Sequence, residues 1–486
     1  MKAMIEPARH KQLFLDNGAI ESMSGVKRVL HQPTKHGPVL TADRSQGETS
    51  VQSRSVPQWN PGKGLWEWWY WAFHEPSKGQ HRSSETRLNH YAVSNDGVNW
   101  ETPSLGLYEW NGSKDNNVAW DPEGRTLYHI VRDERDENLS RRYKALFDTR
   151  DRWLGVSPNG LDWTMLEEPT IPSDDESHFL YDPYTEQFVA MVKHSTEWGR
   201  SVWLSTSKDF HSFSEADLVF HTDAIDRENC QERVRKVIDD PDYLSPPLVD
   251  DFQHMAQAYH MAVMPYEGLY VGFPLILNPA SLIPPPWGNY TALNQIELTV
   301  SRDLRNWERV ADREVFIGVE PWDGVNYATS QVGMCGQPHV HEDREIWVYH
   351  LAVRFRGPKE IYPEEYHPYF DDGGAIYLAK LRLDGFVSLD SGEHGTMVSQ
   401  PFAPGGGELR VNVDAPRGDV RAELVDAETM EPLPGLSVSD CDTLGGDHLS
   451  GRLTWGDAAL PAQDRPVRVR FHLRNASLYA FWVTSN

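Results

Sequence analysis

The chain has 486 residues, 39% of them hydrophobic, enough to bury more than one core. Its formal net charge of -26 excludes the basic footprint that nucleic acid requires, and disfavours an anionic membrane surface. The N-terminus MKAMIEPARHKQLFLD carries no apolar run of signal-peptide length, and no segment reaches the roughly 18 apolar residues of a membrane span, so a soluble, cytoplasmic protein is expected.

In chain order, the first fifty residues hold one apolar piece, QLFLDNGAI, and a Gly/Pro/His-rich passage, read as an outer strand that helps close a ring. An inner strand at 51–59 and a second at 65–73 follow. The second, with Trp66, Trp68, Trp69, Tyr70, Trp71 and Phe73, is apolar on nearly every position and therefore covered on both faces. Next comes RLNHYAVSNDGVNW, a strand, a Ser-x-Asp-Gly turn and a Trp-bearing strand. Its plan returns in RWLGVSPNGLDW, SVWLSTSKDFHSF, IELTVSRDLRNW and, degenerately, IYLAKLRLDGF. Asp96, Asn159, Asp209, Asp303 and Asp384 hold equivalent turn positions, where a short polar side chain bonds its own backbone two residues on.

Copies 50 to 94 residues apart suit one multi-stranded unit each. Inner pairs between them, NNVAW with TLYHIV, SHFLY with QFVAMV, AYHMAVM with LYVGFPLIL, and GQPHVH with EIWVYHLAV, complete an all-β, five-bladed β-propeller over residues 1–397. After Gly405–Gly407, period-two segments such as ELRVNVDA and VRVRFHL predict a C-terminal β-sandwich over 398–486, an accessory domain.

Short turns, including those of Asp121 and Asp182, fall on one face of such a ring. Long loops fall on the other, among them 74–86, 133–142, 220–257 and 311–336. Acids collect in those loops: Asp133, Asp174 to Glu176, Asp250, Asp251, Glu320 and Asp323. Two carboxylates at one funnel mouth are what glycosidic bond cleavage needs, one to protonate the leaving oxygen and one to act as base or nucleophile. Position at the start of an inner strand selects Asp175, Glu320 and Asp323, with Asp133 ending a second strand; one of the group is expected to be protonated near neutral pH. Asn117, His194, His260, Trp322, Trp287 and Arg354 are the expected substrate contacts.

The SNDGVNW-like turns, with GSKDNN, RRYKALF, PYEGLYVGF and LAKLRLDGF, resemble five-bladed propeller glycoside hydrolases of the family 32 and family 43 type, in particular bacterial relatives, over roughly residues 10 to 395. The resemblance implies a glycosidase with three acids from different blades, acting on a short glycoside or oligosaccharide such as a fructofuranoside or arabinofuranoside. No WMNDPNG-type segment is present, and RENC at Arg227–Cys230 is a loose echo of the family's Glu-Cys.

Two alternatives stay open: a sugar-binding propeller without catalysis, and a glycoside phosphorylase, for which Arg142, Arg200 and Arg354 are the candidate phosphate contacts. No cofactor or metal is expected. His339 and His341 lack a third ligand at useful spacing, and Asp239, Asp240 and Asp242 lack that of a calcium loop. Cys230, Cys335 and Cys441 are expected to be structural thiols, and homo-oligomerisation is left open.

Overall fold

The repeated turn is the local rule from which the sheets are built. Asp96 accepts the N–H groups of Val98 and Asn99, each at 2.8 Å, and Asp303 those of Arg305 at 2.9 Å and Asn306 at 2.8 Å. Asn159 and Asp209 repeat the pattern. A tryptophan closes three of these turns: Trp100 Nε1 donates to the Gly97 carbonyl, Trp163 Nε1 to that of Gly160 and Trp307 Nε1 to that of Leu304. These hydrogen bonds hold the Asp303 carboxyl down at about 2, against the burial that would raise it. Asp303→Ala, which loses them, is expected to cost about 1 kcal/mol in a urea melt.

The computed structural model describes residues 4–74, 86–120, 125–167, 169–249, 254–462 and 465–484. Asp121, Asp250, Asp251 and most of the loop 74–86 lie outside them. The chain is nearly all β, as expected, and no helix among the described residues is long and apolar enough to cross a membrane. Two four-stranded antiparallel sheets run Leu127–Arg132, Tyr143–Phe147, Trp153–Ser157, Thr164–Met165, and Ser177–Asp182, Gln187–Thr196, Gly199–Ser207, Asp217–Phe220. A 15-stranded sheet holds three further antiparallel groups, joined by the single parallel pairs Asn294 with Gln331 and Gly374 with Ser50.

Leu65–His74 pairs with Thr86–Ser94 and packs on both faces. Trp68 meets Trp100 and Tyr349 on one side, while Trp69 meets Tyr91 and Tyr143 on the other. Each indole N–H finds a carbonyl: Ser55 for Trp68, Gly160 for Trp69 and Leu127 for Trp71. The aromatic run is therefore packing between neighbouring sheets rather than a stacking platform.

Four expectations change. NNVAW does not open the second group: Val118 bridges His90, making it an outer edge of the first, and RRYKALF supplies the strand Tyr143–Phe147 that the sequence reading lacked. Leu127–Arg132 is thereby the edge strand that opens its sheet. The outer strand of the last group is Thr34–Leu40, paired with Gly374–Arg382, whereas Gln12–Leu13 and Ile20–Leu30 join the C-terminal sheet.

That seven-stranded sheet also takes in Val387–Ser399, which pairs with Ile20–Leu30 and Val467–Arg474, so the expected division at 397/398 cuts a strand. Finally, the 220–257 loop contains a helix, Ala224–Asp239. Asp223 and Asp226 form its capping box. Arg313 pairs with Asp223, and Arg309 with Asp226.

Asp384 differs from its four counterparts. It is buried, accepts from Lys11 at 3.0 Å and from Asn412 at 2.9 Å, and receives the Tyr266 hydroxyl, tying the N-terminus and C-terminal sheet to the turn. The three cysteines are buried and unpaired; burial pushes the Cys230 and Cys335 thiols up to about 12, so neither is a thiolate.

Candidate active site

Glu48–Gln52, Leu127–Arg132, Ser177–Asp182, Gln257–Tyr266 and Gln331–Met334 each open one strand group and are called the inner strands below. Tyr128, at the start of its strand, donates to the Asp175 carbonyl and, at 3.1 Å, to Glu176 Oε2, just before the start of the next. The two strands therefore run in the same sense. A cavity of about 390 Å³ opens at this end, lined among others by Gln52, Arg54, Tyr259, Trp287, Asn289, Tyr290, Gln331, Phe355 and Arg356.

Arg54, in its lining, is one half of an ion pair. Arg54 reaches Glu176 with both Nε at 2.6 Å and Nη2 at 2.7 Å, in the bidentate fork that fits a carboxylate. Both side chains are buried, and the guanidinium lies over the Trp71 ring at 5.0 Å. Burial alone would raise the Glu176 carboxyl, but Arg54 more than offsets it and holds the group far below the carboxylate range. Glu176 is a fixed anion.

Beside it stands Asp175, with 52% of its side chain exposed, in contact with the buried Lys193 ammonium and 3.5 Å from the Tyr259 hydroxyl. Lys193 Nζ sits 4.0 Å from the centre of the Tyr259 ring. Arg200 donates to Gln257 at 2.6 Å, and Arg356 to Gln331 at 2.7 Å, so two further cations are held at the rim by neutral amides. Below lie buried imidazoles. Burial pulls His260 down to about 4 and His178 to about 3, so both are neutral at physiological pH.

Of the expected residues, Asp175, His260 and Trp287 are at or beside this cavity. Asp133 is not. It follows the end of Leu127–Arg132, five residues from Tyr128 and hence about 16 Å along an extended strand. There it pairs with Lys144 and Arg135, each at 2.8 Å, and Arg135 covers the Tyr181 ring near the far end of the neighbouring inner strand. Its placement at the mouth rested on counting Leu127–Arg132 as a second strand.

Glu320 pairs with Lys35 at 2.7 Å and accepts from Asn326 at 2.6 Å, lining a different cavity beside the helix. Asp323 caps a turn through the N–H groups of Val325 and Asn326, which hold its carboxyl below the usual range. Trp322 packs against Phe355, Tyr366 and Tyr369, and Arg354 clamps Asp372 and the carbonyls of Val325 and Asn326.

Asn117 donates to the Tyr70 hydroxyl and the Tyr91 carbonyl, and His194 meets Trp203 edge-on. Arg142 donates to the Asp133 carbonyl, away from the mouth. His339 stacks on Trp66 and His341 on Trp347, so this pair serves packing. A larger cleft of about 870 Å³, between the N-terminal segment and the turns at Tyr184 and Gly268, lies at the far end of the inner strands.

No family model matches the chain, and no curated protein matches it. Solved structures that do resemble it include the Bombyx mori GH32 β-fructofuranosidase, 11% identical over 93% of this chain and 94% of that one, with a TM-score of 0.39. The catalytic domain of the Coprinopsis cinerea GH62 α-L-arabinofuranosidase is 10% identical over 72% and 97%, TM-score 0.41. An N-acetylgalactosamine deacetylase from F. plautii is 14% identical over 75% and 97%, TM-score 0.39. Family 32 structures are thus among the neighbours, as the sequence led one to expect.

Proposed function

We propose that the five strand groups are blades of one ring carrying a C-terminal sandwich, and that the cavity at the start of the inner strands cleaves or transfers a glycosyl group of a short glycoside. The observation that carries this reading is Asp175, a half-exposed carboxylate set between a buried ammonium and a phenol beside a cavity with Trp287, Tyr259 and Tyr290 in its walls. In this reading Asp175 exchanges the proton with the glycosidic oxygen or the incoming water. Glu176, locked by Arg54, supplies fixed charge rather than a proton, and the aromatics take the apolar faces of the sugar. Furanosides are the first class to test, on the resemblance to family 32.

A second reading, sugar binding without bond cleavage, is favoured by the fact that both carboxylates at the mouth are ion-paired. Aryl furanosides, aryl pyranosides and fructans, each with and without phosphate, separate the readings. Turnover without phosphate supports hydrolysis, turnover only with phosphate supports phosphorolysis using Arg200 and Arg356, and binding without turnover supports the second reading. Trp287→Ala is expected to raise KM about fivefold with kcat changed less, since one stacked ring is worth about 1 kcal/mol.

A further inference from the structure

Glu48, His74 and His90 meet at the edge of the first strand group, outside the machinery assigned above. Each offers a ligand atom, and the three atoms lie within 4.8 Å of one another. Glu48 Oε1 and His90 Nδ1 are 3.4 Å apart. Two donors about 2.1 Å from one tetrahedral ion stand about that far from each other.

All three residues are more than nine-tenths buried, with relative exposures of 3%, 4% and 3%. Neither nitrogen of His90 nor Nε2 of His74 has a hydrogen-bond partner among the described residues. Leaving three such atoms unmatched in a dry interior is costly, and an ion would satisfy them together.

Charge points the same way. No lysine or arginine is paired with the Glu48 carboxylate among the described residues; its Oε2 accepts the Asp43 backbone N–H at 2.8 Å, and Oε1 faces His90. Metal binding takes the carboxylate and neutral imidazole forms of these side chains.

The strands fix the arrangement. Glu48 is the register partner of His74, and His90 comes from the adjoining strand, on which it pairs with Tyr70. Ser50 and Phe73, close neighbours of Glu48 and His74 along the chain, line the cavity of about 390 Å³. We propose that Glu48, His74 and His90 form a binding site for one divalent first-row metal ion of the Zn²⁺ type, with a coordination position left open. Two imidazoles and one carboxylate are borderline to hard donors, suited to Zn²⁺ and its neighbours rather than to soft ions.

The test uses the full chain stripped with EDTA and titrated with Zn²⁺ against a chromophoric chelator, and with Co²⁺ followed by visible absorption. One equivalent of Zn²⁺ is expected, and the Co²⁺ form is expected to show the d–d bands of a low-coordinate site. His90→Ala, His74→Ala and Glu48→Gln should each weaken Zn²⁺ binding by more than the roughly 10–100-fold that loss of a supporting partner costs. Circular dichroism of the metal-free proteins checks that the variants fold, and the Co²⁺ spectrum of the parent needs no variant at all. The proposal is overturned by a parent that binds no stoichiometric metal. It is equally overturned if binding survives these substitutions and is lost instead in His178→Ala with His260→Ala.

Discussion

Glu176→Gln is expected to destabilise the folded chain by about 3–5 kcal/mol, the largest stability effect of any single change at the cavity. The substitution removes one partner of a buried ion pair and leaves the Arg54 guanidinium uncompensated. The remaining neighbours do not replace it: Gln52 Oε1 is 3.4 Å from both Arg54 terminal nitrogens, and the Ser53 carbonyl takes one of them. Arg54→Met should cost a similar amount, because Glu176 would then be a buried carboxylate without its fork.

Acid should act in the same direction. The folded-state pKa of Glu176 is depressed, so its contribution is present above its unfolded value of 4.5 and is lost as pH falls below that value toward the folded one. Urea melts at pH 7 and pH 4 check both points. The parent should lose stability on acidification, and Glu176→Gln should lose less, because the group that titrates has gone. Equal pH dependence in the two proteins would show that Glu176 is not held ionised by Arg54.

Asp175→Asn is expected to lower kcat/KM on any glycoside the chain turns over by on the order of 10²–10⁴-fold, the range for loss of a proton-transfer group. The amide keeps the size of the side chain and a contact with Tyr259, but it neither accepts nor donates the proton. Stability should fall as well, by less than the roughly 3–5 kcal/mol of a fully buried pair, because the substitution leaves the buried Lys193 ammonium without its carboxylate while half of Asp175 itself faces solvent; turnover is therefore compared in protein shown to be folded. Asp133→Asn, by contrast, removes a charge from the far end of the inner strands and should leave KM and kcat near parent values while costing stability through Lys144. A parallel loss of turnover in the two variants would return Asp133 to the site.

These residues also show what a sequence can and cannot disclose. The turns at Asp96, Asn159, Asp209 and Asp303 were readable because every hydrogen bond in them is local, made within three residues. Asp384 fits the same spacing, yet its carboxylate serves partners 373 and 28 residues away, which no local pattern encodes. The missed strand Tyr143–Phe147 had a readable signal in its apolar run, but a turn-like passage at 121–124 drew the preceding segments into one hairpin. That single slip carried Asp133 to the opposite end.

The helix was readable as well. Asp223 and Asp226 stand at capping-box spacing, and Cys230, Val234 and Val237 recur on one face, though the charged residues between them hid the stripe. In the site, Asp175 followed from its place at the start of an inner strand. Arg54 did not, because a search for catalytic acids passes over the cation that fixes one of them from 122 residues away.

The most direct test of the account is the crystal structure of Asp175→Asn soaked with arabinose, fructose and their aryl glycosides. A sugar ring is predicted in the cavity of about 390 Å³, with a hydroxyl or glycosidic oxygen within about 3 Å of the residue 175 side chain and one face against Trp287. Sugar bound instead in the larger cleft beside Tyr184 and Gly268, with the cavity by Asp175 empty, would contradict it.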